Sequence, residues 1–113
     1  DGFTVLSGDD GLLWPILAVG GRGVISVTAN VLPEPMARLV DAALNDDMNA
    51  ARRAHYELME MNEALFVDTN PIPVKTALAL MEKIENEFRL PLSPLTGEPL
   101  HCLKAALKNY SLI

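Results

Sequence analysis

The 113 residues are enough to bury a core, half of them are hydrophobic, and the formal net charge is −6. The nine Lys and Arg are scattered along the chain, which argues against a phosphate-binding face, so no nucleic-acid partner is expected. A single cysteine cannot close an internal disulfide, and no stretch approaches the roughly 20 apolar residues that span a bilayer, so the expectation is a cytoplasmic protein with no membrane segment.

Asp1-Gly2 leads directly into the apolar run Phe3-Thr4-Val5-Leu6 with no initiator Met and no targeting pattern, and cleavage or trimming is the expectation there. Residues 3–7 are short and mix β-branched with aromatic side chains before stopping at Gly8-Asp9-Asp10. This predicts a buried strand, a loop and a helix cap. Residues 12–19 are too apolar for a solvent-facing segment and read as a helix. Pro15 makes that helix start late or kink near its first turn, and Gly20-Gly21 ends it. Residues 23–28, with Val24, Ile25 and Val27, predict a second strand covered on both faces. Strand, helix and strand in this order make a parallel crossover.

The chain then turns helical. Pro33 and Pro35 open a segment with Met36, Leu39, Val40, Ala43 and Leu44 at helical spacing, broken by Asn45-Asp46-Asp47. Ala51, Ala54, Leu58, Met61 and Leu65 recur every three or four residues and predict a long amphipathic helix over 48–65. Asn70-Pro71 reads as an N-cap followed by a first-turn proline, with Val74, Leu78 and Met81 as the next apolar stripe. Residues 85–94 predict a loop. Residues 96–110 predict a last helix, with Leu100, Leu103, Leu107 and Tyr110 on one side.

Two parallel strands leave two unpaired edges and two apolar faces to cover, so a sheet of this kind needs further strands. A (β/α)8 barrel takes about 250 residues. The expected fold class is therefore α/β, the closing part of a (β/α)8 TIM barrel. Its last two βα units would occupy residues 1–45, and a helical carboxy-terminal extension residues 46–113. The competing solution is a mostly helical domain in which the two apolar runs pair within a dimer.

Four segments in order carry a resemblance. They are Leu6-Ser7-Gly8-Asp9-Asp10, Gly20-Gly21-Arg22-Gly23-Val24-Ile25-Ser26-Val27-Thr28-Ala29-Asn30, Asn70-Pro71-Ile72-Pro73-Val74-Lys75 and Arg89-Leu90-Pro91-Leu92-Ser93-Pro94-Leu95. Together they resemble the dihydrodipicolinate synthase family over nearly the whole chain. The resemblance implies that residues 3–7 and 23–28 are the seventh and eighth barrel strands. It also implies a lyase that condenses pyruvate, held as an imine on a lysine, with aspartate semialdehyde on the diaminopimelate route to lysine. The imine lysine and a proton-relaying tyrosine assembly would lie upstream of Asp1, so this segment alone is expected to be inactive and to hold no catalytic residue. By the same resemblance Ile25 would offer a backbone contact to the pyruvate-derived carboxylate or imine region. Gly8, Asp9 and Asn70 would contact the aldehyde substrate. No cofactor and no metal are called for, and a homo-oligomer, dimer or tetramer, is implied.

Blander readings compete at several positions. Adjacent Asp9 and Asp10 before a helix favour capping over acid/base work. Residues 20–23 end a helix and enter a strand, the reverse of a dinucleotide loop, so turn geometry is favoured. Lys75 sits on a helix rather than a strand and is rejected as the imine lysine. Neighbouring His101 and Cys102 do not make a metal site, and Cys102 reads as a packed small residue. His55 reads as a surface or interface histidine, and Trp14 with the methionines as core or subunit contact. Two other functions remain open from the sequence: a pyruvate-dependent sugar-acid aldolase of the wider N-acetylneuraminate lyase superfamily, and a non-catalytic helical interaction module.

Overall fold

The computed structural model describes residues 2–113. The chain divides, within its longest helix, into two compact units that meet at Met59 and Glu60 in sequence. The helices are α1 (Leu13–Ala18), α2 (Pro33–Leu44), α3 (Met48–Ala64), α4 (Ile72–Leu80) and α5 (Gly97–Asn109), with 3-10 turns at Asp10–Leu12 and Thr28–Asn30.

In the first unit the expected strands do not form: among the described residues there is no regular strand, and residues 3–7 and 23–28 share one isolated parallel bridge, Ser7 with Val24. The hydrogen bonds give the reason. Ser7 N donates to Gly23 O and Ile25 N donates to Ser7 O, both at 2.8 Å, as a parallel pair requires. Upstream, Val5 O takes the N–H of Arg22 rather than that of Gly23, so the register slips by one residue. Downstream, the N–H groups of Val27 and Thr28 turn to the side chain of Asp10. The ladder is cut at both ends. Phe3, Val5 and Ile25 stay exposed beside it.

Helix α1 starts after the 3-10 turn, so Pro15 falls in its first turn, where no backbone N–H partner is lost. It ends as the glycine pair predicts. Gly20 takes a φ of 100°, and the N–H groups of Gly20 and Gly21 reach back to Leu17 O and Ile16 O, satisfying carbonyls that the helix leaves open. Pro33 opens α2, which packs against α1 and the Thr28–Asn30 turn and buries Met36 and Leu39. Asn45 caps the end of α2 and Asp46 takes a φ of 62°, after which Asp47 accepts from Ala50 N at 2.9 Å at the start of α3.

His55 corrects the surface reading. It is only 6% exposed, its ring lies 5.7 Å from that of Trp14, and Tyr56 stands edge-on to it at 5.4 Å. Neither His55 Nδ1 nor Trp14 Nε1 has a hydrogen-bond partner among the described residues. Loss of hydration pushes the His55 pKa below its ordinary 6.5. The unfolded chain therefore binds this proton more readily than the native one. Stability from the neutral imidazole is complete above pH 6.5 and drains away as pH falls below it. Urea midpoints between pH 7.5 and 5.5 should decline toward acid in the wild type, and His55→Leu should flatten that decline. An unchanged slope in the variant would refute the assignment.

In the second unit Ile72, Val74 and Ala77 of α4 and Leu103, Ala106 and Leu107 of α5 are buried, and the two helices pack together. Asn70 is not the N-cap of α4. The Asn70–Pro71 peptide is cis and Pro71 holds the cap position, with no side-chain capping bond. Thr96 is the N-cap of α5, which runs Gly97–Asn109, one residue inside the expected 96–110 at each end. Cys102 is exposed, contrary to the packed reading, because it lies one residue off the buried Leu103–Leu107 stripe.

Candidate functional site

The residues singled out around Gly8 and Ile25 lie on two segments joined by backbone and side-chain hydrogen bonds. Ser7 is buried, and its hydroxyl donates to Asp9 O at 2.6 Å while accepting from Asp9 N at 3.2 Å. Asp9 then caps the first 3-10 turn, with Oδ1 accepting from Gly11 N at 2.7 Å and Leu12 N at 3.3 Å. The favoured capping reading holds for this residue.

Asp10 does something different, which the sequence reading missed. Its carboxylate is 1% exposed and crosses to the second segment. Oδ1 accepts from the Ser26 hydroxyl, and Oδ2 accepts from Val27 N at 2.9 Å and Thr28 N at 3.1 Å. It caps a turn sixteen or more residues away rather than its own. Ser26 Oγ in turn accepts from Ala29 N at 2.8 Å.

Ile25 lies between these two anchors, with its side chain 71% exposed. Its N–H is spent on Ser7 O, so a backbone contact to a ligand falls to its carbonyl, which is an acceptor. Gly8 is exposed, and a Cβ there would meet nothing within 4 Å, so packing within the chain does not require glycine at this position. Gly8, Asp9 and Ile25 belong to the first unit, whereas Asn70 is an exposed residue of the second.

A groove of about 470 Å³ lined by Leu6, Val24, Met36 and Val40, among others, includes none of the four predicted residues. Lys75, rejected as an imine former, donates from Nζ to Glu87 O and lies 4.8 Å from the centre of the Phe88 ring. It tethers the loop after α4. Among the described residues no group of three or more His, Cys, Asp or Glu could hold a metal ion, and no helix is long and apolar enough to cross a membrane.

The chain is similar to known proteins in sequence and in fold. Residues 1–110 fit the model of the dihydrodipicolinate synthetase family. The 4-hydroxy-tetrahydrodipicolinate synthase of Pelobacter propionicus is 50% identical over 113 residues, covering 100% of this chain and 39% of that protein. The crystal structure of dihydrodipicolinate synthase from Aquifex aeolicus superposes with a TM-score of 0.97 at 47% identity, over 99% of this chain and 38% of that one. The enzyme of Acinetobacter baumannii, complexed with pyruvate, superposes with a TM-score of 0.93 at 38% identity, over 98% of this chain and 38% of that one. The chain thus spans about 39% of the length of the curated relatives it matches. It belongs to the dihydrodipicolinate synthetase family.

Proposed function

We propose that this chain is the carboxy-terminal part of a pyruvate-dependent lyase that condenses pyruvate with aspartate semialdehyde on the diaminopimelate route to lysine. The observation that carries the reading is the 50% identity along all 113 residues to a 4-hydroxy-tetrahydrodipicolinate synthase of which the chain spans 39%. Residues 1–45 would supply the last two βα units of a (β/α)8 barrel and residues 46–113 a helical extension. The single bridge and the exposed Phe3, Val5 and Ile25 suit a sheet completed by further strands.

In this reading the whole enzyme holds pyruvate as an imine on a lysine outside these residues, so this segment alone is inactive. The lysine amine itself supplies the electrophilic catalysis, and no separate cofactor takes part. The Ile25 carbonyl repels a carboxylate but attracts an N–H, and it therefore faces the imine nitrogen rather than the pyruvate carboxylate. Gly8 leaves room for close approach of the aldehyde substrate, and Asp9 presents its remaining carboxylate oxygen at the same loop. The enzyme works in the cytoplasm as a homo-oligomer, dimer or tetramer.

The test is borohydride trapping on the full-length protein. With pyruvate present, the intact mass should rise by one reduced pyruvate, and peptide mapping should find the adduct on a lysine outside residues 1–113. An adduct on Lys75, or none on the full-length protein, would refute the reading.

A further inference from the structure

We infer that Asp10 is a positioning residue, one that sets the orientation of the Ile25 carbonyl without touching substrate; the inference rests on the lyase reading above. A carboxylate this deeply buried is costly unless its lone pairs are used, and here they are used on one short stretch of backbone. Oδ1 holds the Ser26 hydroxyl, and Oδ2 holds the N–H groups of Val27 and Thr28. On the other side, Ser7 O holds Ile25 N at 2.8 Å. The peptide group that carries the Ile25 carbonyl therefore lies between two fixed points and has little freedom to rotate.

The division of labour between the two aspartates supports this. Capping a 3-10 turn requires only a local side chain, and Asp9 does that for the turn in which Asp10 sits. Asp9 fixes the turn, the turn aims Asp10, and Asp10 fixes residues 26–28. Ser26 extends the chain of contacts by accepting from Ala29 N. A ligand-facing carbonyl held this way is set before substrate arrives, so its alignment costs nothing at the moment of reaction.

The experiment uses the full-length enzyme and the variants Asp10→Asn and Ser26→Ala. Asparagine keeps the shape but turns one acceptor into a donor that faces other donors. The KM for pyruvate should rise about tenfold in Asp10→Asn while that for the aldehyde stays within about twofold, and the rate of borohydride-trapped adduct should fall in step. Ser26→Ala leaves both backbone N–H groups on Asp10 and should raise the pyruvate KM about threefold. Because it disturbs less of the buried cluster, it decides the matter if Asp10→Asn does not fold. Folded variants with wild-type pyruvate KM, or with equal rises for both substrates, would overturn the positioning role and leave the lyase reading intact. A wild-type enzyme that traps no pyruvate would overturn both.

Discussion

Leu39→Ala is expected to remove about 3 kcal/mol of folding stability, within the range measured for leucine truncation in well-packed cores. Leu39 is 1% exposed in the middle of α2, the helix that covers both α1 and the Thr28–Asn30 turn. Truncation forfeits the transfer free energy of the removed methyl groups and leaves a cavity that helices on two sides can only partly collapse. Urea denaturation of the full-length protein, followed by circular dichroism, should show a lower midpoint with little change in slope. A loss under about 1 kcal/mol would mean that α2 is not held by this side chain.

Gly21→Ala should cost a comparable amount, about 3 kcal/mol, but by overpacking. A Cβ on Gly21 would lie 2.8 Å from Ile16 O and 3.1 Å from its carbonyl carbon, in addition to meeting the Ile16 side chain. A side chain could rotate away, but the carbonyl cannot, because it accepts the Gly21 N–H at 2.8 Å and closes α1. Gly8→Ala serves as the contrast. Its added methyl group meets nothing within 4 Å, so its folding stability should stay within about 0.5 kcal/mol of wild type. If the two alanines behaved alike in denaturation, the close approach at Gly21 would be refuted.

The helices were legible because their signal is local. Stripes at three- and four-residue spacing located α2, α3 and α5 to within a residue or two, and the glycine pair fixed the end of α1. The strands were not. β-branched and apolar composition states a willingness to pair, but a ladder also needs a partner in register, and that partner is a long-range fact. His55 could have been read better. Positions 51, 55, 58 and 62 share the helical face that carries Ala51 and Leu58, and spacing alone puts the imidazole among buried neighbours. The same arithmetic puts Cys102 off the stripe of Leu103 and Leu107. At the candidate site, the capping role of Asp9 follows from its place before a turn. The reach of Asp10 does not, since nothing in Asp9-Asp10 announces acceptance from residues 26–28.

The span of that reach bears on how the first unit comes together. The Asp10–Ser26 contact closes a loop of 16 residues, and the entropy lost in closing a loop grows only with the logarithm of its length. Such a short clasp can shut while distant parts of a polypeptide are still unorganised. Under the proposed barrel reading, the two segments would then arrive as one prefastened piece offering a ready edge to the strands beside them.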